Sequence, residues 1–394
     1  MKLAIVGSGI SAMTCAHYLR DSYDITLFEK NDYLGGHTHT HHMDGFTLDT
    51  GFIVFNLHTY PNLLKMFSEL GIEKKKSEMS FSVYNIDTGL EYSGDHVFAQ
   101  KKNIFSLKYW RFLLDIKKFF RIGLRDFHKK NSDSIRRYCR KNGLSDFFID
   151  NYIVPMSSAI WSTPDTNTFP IGLILPFFRN HGLLRASRHI TWYTVKGGSD
   201  TYTRKIAEGL DAHTSEPVVE VREGKKVTLK TDRKTYTFDH VIMACHSDES
   251  LAIVKGLPEK KRELLSQFAY NKNLAVLHTD ESVMPPNRKV WSSWNHVIKG
   301  KKASTVYWLN RLQNPDTDTN YFVSINPFQQ IAKEKIIKEI RYDHPLFTLK
   351  NFELQKRLQE LNEETNIFFA GAYFRYGFHE DGCMSGLEVV RRLT

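Results

Sequence analysis

The sequence predicts an α/β protein: a Rossmann-type domain assembled from separated stretches of chain, with a mixed α+β domain between them. Three observations carry this reading. The chain opens on KLAIV (2 to 6), then Gly7-Ser8-Gly9-Ile10-Ser11-Ala12 and a helical stretch to about Arg20. A second apolar run, DITLF (24 to 28), ends on the acid Glu29. Near the other terminus, IFFAG (367 to 371) again leads from an apolar run into a glycine-rich segment and a helix. Short β-branched runs bounded by glycine and alternating with helices are the pattern of buried parallel strands.

The opening segment has a chemistry attached to it. In a GxGxxA turn, Gly7 permits the tight bend, Gly9 lets backbone approach a pyrophosphate, and small Ala12 and Ala16 let helix and strand pack closely. The helix N-terminus, Ile10 to Ala12, then offers unsatisfied N–H groups and the positive end of its dipole to the phosphates. Glu29, followed by Lys30, lies 20 residues past Gly9. A carboxylate at that spacing can accept both hydroxyls of an adenosine ribose.

Bulk composition narrows the class. A chain of 394 residues with 41% hydrophobic content suffices for two or three domains. Cys15, Cys139, Cys245 and Cys383 show neither CxxC nor Cys/His ligand spacing, so no disulfide framework and no zinc site is read; a reducing, cytoplasmic setting fits. No run of about 18 apolar residues is present to span a membrane. The N-terminal apolar stretch is punctuated by glycine, unlike a signal peptide. A net charge of +10 suits an anionic membrane surface, an acidic substrate or nucleic acid. No nucleic-acid motif accompanies it.

Gly35-Gly36-His37-Thr38-His39-Thr40 follows the acid, and Leu48-Asp49-Thr50-Gly51-Phe52 follows a hairpin-like Asp44-Gly45-Phe46. His37, His39, His41 and His42 raise the question of a metal. Alternating positions on an extended segment point to opposite faces, and no acid or cysteine has ligand spacing, so no metal is assigned. These segments, with the C-terminal AYFRYGFHEDGCMSG, resemble the flavin amine oxidase superfamily. The strings GGHTHT, DTGFIVFN and GFHEDG are similar to a bacterial subfamily of predicted FAD/NAD-binding oxidoreductases, often encoded near cyclopropane-fatty-acid-synthase-type genes. The resemblance spans the chain and is strongest over residues 1 to 62 and 366 to 394.

What the resemblance implies is an amine-oxidase-like fold holding FAD without a covalent bond. Gly36 and His37 would lie against the diphosphate, with histidine standing where the family has arginine, so that its charge depends on pH. Thr50, Gly51 and Phe52 would return the chain to the flavin. The backbone of Val218 would meet the adenine, and Gly371 the ribityl chain. Asp381 and Gly382 would sit at a helix N-terminus facing the isoalloxazine ring, where the dipole stabilises negative charge on a reduced flavin. Residues 1–62, 191–250 and 346–394 would form the FAD-binding domain, and 63–190 with 251–345 a substrate domain.

In the middle of the chain, Val195 to Ser199 with Tyr202 resembles an element that opens a helix on the cofactor domain. Residues 217 to 221 read as a strand, and 227 to 229 with 236 to 244 as a hairpin and a strand. Further strands are expected over Leu274–His278, Val290–Trp294, Ser304–Leu309 and Tyr321–Ile325. Trp161, in a loop after Pro155, resembles the segment over the flavin; a pocket wall and core packing both suit it. Residues 101 to 130 carry ten Lys or Arg, with Phe105, Trp110, Phe112, Leu113, Ile116, Phe120 and Phe127 at helical spacing. A helix packed on its domain and a basic amphipathic helix on an anionic membrane share that pattern.

The expected function is FAD-dependent hydride transfer from a hydrophobic, fatty-acyl or other lipid-like substrate. Trp161, Tyr373, His379 and Glu380 are the catalytic candidates, and of these His379 and Glu380 could act as acid or base. The alternatives are a flavin amine oxidase, a redox-neutral isomerase or desaturase of an isoprenoid, and an FAD-bound partner of a lipid-modifying enzyme without turnover. Expected partners are a hydrophobic small molecule, such a lipid-modifying enzyme and, peripherally, the inner membrane face; nucleic acid is not expected.

Overall fold

The computed structural model describes residues 1–163, 166, 169–184 and 190–394. The chain divides into two compact units: residues 1–75, 194–270 and 345–394, and residues 76–193 and 271–344.

In the first unit, β1 (Lys2–Val6) leads into α1 (Ile10–Leu19) and then β2 (Asp24–Phe28). Leu3, Ala4 and Ile5 are fully buried, which is why this run carries no polar face. α2 (Pro61–Glu69) follows, with Pro61 in its first turn. After the first segment of the second unit come α3 (Asp200–Ala207), β3 (Asp211–His213) and β4 (His240–Met243), and after its second segment β5 (Ile367–Phe369) and α4 (His379–Leu393). The strand order is β3-β2-β1-β4-β5, and all four pairings are parallel. The order reverses between β1 and β4, and in open parallel sheets ligands bind at the carboxyl ends of the strands beside such a reversal. The predicted α/β fold and Rossmann-type sheet are therefore present. A four-stranded sheet, in the order Thr235–Phe238, Val227–Thr231, Val218–Arg222 and Val254–Lys255, belongs to the same unit.

This unit also takes in residues 63–75 and 251–270, which the sequence reading places with the substrate domain. The physical reason is packing: α2 buries Leu63, Met66 and Phe67 and contacts α4, while Leu264, Leu265 and Phe268 join the core around Val6 and Phe369.

The second unit is built on a seven-stranded sheet. Its order is Ile336–Pro345, Tyr270–His278, Phe322–Ile325, Lys302–Trp308, Trp294–Lys299, Phe81–Asn85 and Leu90–Ser93. Two readings need correction here. Val290–Trp294 is not a strand: Arg288–Val290 is a 3-10 turn whose start is capped by Asn287, accepting from the Lys289 N–H, and the strand begins only at Trp294. The Trp291 indole donates to the Pro285 carbonyl and the Ser292 hydroxyl to that of Val290, so local turn bonds replace the ladder. Trp161 is not in a loop either. It ends the helix Val154–Trp161, which Ser162 terminates at φ 48°.

Residues 101–126 form a short 3-10 turn, Lys101–Phe105, and one helix, Leu107–Asp126, started by the Ser106 hydroxyl accepting from the Tyr109 N–H. Tyr109, Phe112, Phe119 and Ile122 are buried, which makes this an amphipathic helix packed on its own unit. Phe105 and Trp110, expected on the apolar face, lie outside instead. Among the described residues no helix is long and apolar enough to cross a membrane.

Candidate cofactor site

The site grows from the end of β1. Gly7 bends at φ 94°, a left-handed conformation that favours glycine. Gly9 begins α1 with no side-chain cap and no acid in the first turn, and a Cβ placed on it would meet nothing within 4 Å. The approach to the first N–H groups of α1 is thus unobstructed at Gly9, as a phosphate requires. Gly36 closes in from the other glycine-rich segment: a Cβ there would stand 3.2 Å from the Gly9 Cα. Two segments remote in sequence therefore share one turn.

Glu29 is buried, and its carboxylate is held from two sides. Oε2 accepts from the Ser8 N–H at 3.0 Å and the Ser8 hydroxyl at 2.5 Å, and Oε1 accepts from the Asn31 N–H at 2.9 Å. Ser8 Oγ also accepts from the Gly35 N–H at 3.0 Å. Ser8 is absent from the sequence candidates because it is a free position of the motif, and no spacing rule marks it. The Glu216 N–H donates to the Glu29 carbonyl at 3.0 Å, which brings the chain entering Val218 alongside. Val218 starts its strand at a bulge. Lys30 forms an ion pair with Glu249 on the surface, an interaction worth little in stability.

The return segment pairs with the glycine loop through backbone. The Phe52 N–H donates to the His37 carbonyl at 2.7 Å, the Thr50 N–H and hydroxyl donate to the His39 carbonyl, and any side chain on Gly51 would collide with the His37 carbonyl. Asp49 ties these segments to α3: it accepts from the Ser199 N–H at 2.9 Å, the Ser199 hydroxyl at 2.7 Å and the Thr40 hydroxyl at 2.5 Å. Burial pushes the Asp49 carboxyl up to about 6 despite these bonds. Among the described residues no group of three or more His, Cys, Asp or Glu could hold a metal ion. His39 lies instead between the Tyr33 ring at 3.8 Å and the His41 ring at 4.4 Å.

At the start of α4 lie two of the predicted catalytic residues, His379 and Glu380. His379 Nε2 lies 3.0 Å from Thr38 Oγ1 and 2.9 Å from the Tyr202 hydroxyl, and its ring stacks on Phe52 at 3.7 Å. Burial pushes its pKa down to about 3, so the imidazole stays neutral. A general acid or base works best near the operating pH. His379 is thus a hydrogen-bond hub for three segments. Glu380 is occupied as well: it accepts from the Asn62 N–H at 3.0 Å, the Asn62 side-chain amide at 2.6 Å and the Leu63 N–H at 3.0 Å. Tyr60, which precedes α2, makes no side-chain cap, so this carboxylate from α4 caps α2 in its place.

Asp381 and Gly382, expected to face the flavin, have partners within the chain. Asp381 accepts from the N–H of Phe378, the residue before its own helix, at 3.0 Å, and pairs with Arg375 at 3.3 Å. Burial pushes its carboxyl up to about 6. The Gly382 N–H is spent on the Phe378 carbonyl, and a Cβ there would lie 2.5 Å from Ile10 Cγ2 and 3.1 Å from Ser11 Oγ. Its smallness serves the contact between α1 and α4. Gly371 likewise leaves room for the Tyr373 ring, and its N–H donates to Ser385 Oγ at 2.9 Å. Tyr373 packs against Phe268 and Phe374, and its hydroxyl is buried without a partner among the described residues. Trp161 lies in the second unit, packed on Phe177 at 4.8 Å and Phe169 at 5.9 Å.

Neutral His379 has a consequence for stability. With its folded pKa near 3 and an unfolded value near 6.5, it takes up a proton on unfolding between these limits. Its contribution is complete above about pH 6.5 and is lost as pH falls toward 3. In denaturant unfolding, the stability advantage of wild type over His379→Gln should shrink by up to about 2 kcal/mol between pH 7 and pH 5. A pH-independent difference would mean that His379 is not held neutral.

Residues 10–345 match the family described as flavin containing amine oxidoreductase. The chain belongs to the flavin-containing amine oxidoreductase family. Its cofactor is accordingly FAD, and its class is that of the FAD oxidoreductases. The chain is 36% identical over 85 residues to a 15-cis-phytoene desaturase of Synechococcus elongatus, covering 21% of this chain and 18% of that protein. It is 31% identical over 120 residues to a 1-hydroxycarotenoid 3,4-desaturase of a Flavobacterium, covering 27% and 24%. It thus spans less than a quarter of these curated relatives' length. Among solved structures, a putrescine oxidase triple mutant superposes with a TM-score of 0.73 at 15% identity, over 100% of this chain and 98% of that one, which shows the shared fold.

The site of this flavin amine oxidoreductase fits its cofactor. The open approach at Gly9 and the close Gly9–Gly36 contact would admit a diphosphate to the α1 amides, and buried Glu29 would take the ribose hydroxyls.

Proposed function

We propose that this FAD oxidoreductase removes hydride from a C–H bond of a hydrophobic substrate, a fatty-acyl or polyisoprenoid chain. The observation that carries the reading is the 36% identity over 85 residues to a protein named for desaturating phytoene, joined by the match to a hydroxycarotenoid desaturase. One name gives phytoene and the other a 1-hydroxycarotenoid as the compound desaturated. Bound FAD would supply the two-electron oxidant, and the protein supplies position and dryness.

This chain's own residues divide that task. Glu29 anchors the adenosine end, and the α1 amides balance the diphosphate charge. The Thr38–Tyr202–His379 hub, with Phe52 stacked on it, holds the glycine loop, α3, the return turn and α4 in one arrangement. Because hydride transfer depends steeply on the placement of the reacting carbon, such locking matters more than any one contact.

The test is spectroscopic. Anaerobic addition of fatty-acyl or polyisoprenoid compounds to the yellow holoprotein should bleach its flavin absorption, and putrescine should not. Bleaching by amines alone would favour amine oxidation, the reading that the family description supports. Absence of bleaching by either class, with tight binding to a lipid-modifying enzyme, would favour a partner role without turnover.

A further inference from the structure

We propose that residues 101–121 form a docking surface for an anionic lipid bilayer. The proposal is independent of the oxidation reading, because it rests on the second unit alone.

Half of the large apolar side chains that stand exposed among the described residues fall within residues 104–114. Phe105 is 89% exposed, Leu107 88%, Leu114 64%, and Ile104 and Trp110 45% each. Scattered single exposures are normal in a folded protein, but a contiguous group is not. These side chains are also ordered in space. Leu107, Trp110 and Leu114 recur at three- and four-residue spacing along the Leu107–Asp126 helix and so share one face. The Trp110 indole N–H donates to the Ile104 carbonyl at 2.8 Å and pins the Lys101–Phe105 turn against the same end.

Charge selects the occupant. The spacing that aligns Leu107, Trp110 and Leu114 continues to Lys117 and Arg121, so the apolar strip runs into a cationic one. Lys101, Lys102, Lys108 and Arg111 flank its start, all exposed. Lys108 lies over the Phe147 ring at 4.4 Å, while Arg111 and Lys118 reach the Gly143 carbonyl. Both acids of the helix are withdrawn from this face. Asp115 is buried, accepting from the Ser145 N–H and hydroxyl, and Asp126 is buried among Arg125, Lys129 and the Tyr138 hydroxyl. Nothing on the helix's outer face therefore repels lipid phosphate.

A protein partner would demand a broad patch, about 800 Å² on each side, with a complementary surface. A bilayer needs only what is present: a few projecting apolar side chains that enter the headgroup boundary, an indole at the interface, and cations at the phosphates. The inward face, Tyr109, Phe112, Phe119 and Ile122, remains committed to the core, so the helix binds without leaving its unit.

Co-sedimentation of the holoprotein with vesicles tests the proposal. Wild type should bind vesicles of phosphatidylcholine mixed with phosphatidylglycerol, release them in high salt, and ignore phosphatidylcholine alone. Phe105→Ser/Leu107→Ser and, separately, Lys101→Glu/Lys102→Glu should each weaken binding about tenfold or more, with FAD content and unfolding midpoint unchanged. Three results would overturn it: no binding by wild type, equal binding to both vesicle types, or wild-type binding by the serine variant. A wild-type dimer dissolved by the serine variant would assign the face to a second copy of this chain, and overturn it too.

Discussion

Replacing Gly9 by valine is expected to give a folded protein that no longer holds FAD. The backbone at Gly9, φ −66° and ψ 179°, is extended and open to any residue, and a Cβ would meet nothing within 4 Å. The fold therefore has no reason to resist the side chain. The isopropyl group would occupy the approach to the first turn of α1, where a diphosphate would lie. Losing two or three charge-assisted hydrogen bonds of about 1.5–3 kcal/mol each should weaken FAD binding about a thousandfold or more. Glu29→Ala should also release FAD, but less cleanly. It strands the Ser8 N–H, the Ser8 hydroxyl and the Asn31 N–H, at about 1–3 kcal/mol for each buried group left unpaired. The ratio of flavin to protein absorbance after gel filtration, read beside thermal unfolding, separates the two effects. A Gly9→Val protein that is folded and still yellow would remove the phosphate from the α1 N-terminus.

Gly382→Val is expected to do the opposite, striking the fold first. Its Cβ would stand 2.5 Å from Ile10 Cγ2 and 3.1 Å from Ser11 Oγ, and the larger side chain would force α1 and α4 apart. Overpacking of a close helix contact costs about 1–3 kcal/mol, and more when backbone must move. Here the separation would also disturb Ser385, whose hydroxyl donates to the Gly382 carbonyl, accepts from the Gly371 N–H and lies 3.3 Å from Ser11 Oγ. We expect a loss of about 3 kcal/mol or more in denaturant unfolding. Shortening Ile10 to alanine should recover part of it, because the two positions touch and their effects should not add. A fully stable Gly382→Val holoprotein with only a shifted reduction potential would return this glycine to the flavin and contradict the packing assignment.

Features that local pattern specifies were legible. KLAIV, DITLF and IFFAG are strands of one parallel sheet, the GxGxxA turn opens α1, and Glu29 is buried beside it. Each follows from period, glycine placement or spacing within about thirty residues, and the physics of a parallel strand or a helix start is local. Where a polar run could satisfy itself in turns, period failed as a guide. Asn287, Trp291 and Ser292 close local bonds, so VWSSW does not begin a strand until Trp294.

The assignment of polar residues at the site was the part the sequence could not decide. From residue type alone His379 and Glu380 read as an acid and a base, and Asp381 and Gly382 as flavin contacts. Tertiary structure adds what arrives from elsewhere in the chain: Thr38 and Tyr202 around His379, the uncapped start of α2 in front of Glu380, and Ile10 against Gly382. The Leu107–Asp126 helix shows the same division. Its sequence determined that it is basic and amphipathic, whereas packing decided that Phe112 and Phe119 go inward and Leu107 and Trp110 stay out, beside Phe105 of the preceding turn. The sequence by itself determined the dinucleotide turn, the acid beside it and the class of fold, because those are written in spacing. Only tertiary structure decided which titratable groups are spent on helix caps and hydrogen-bond hubs, because a buried polar group takes its role from partners remote in sequence.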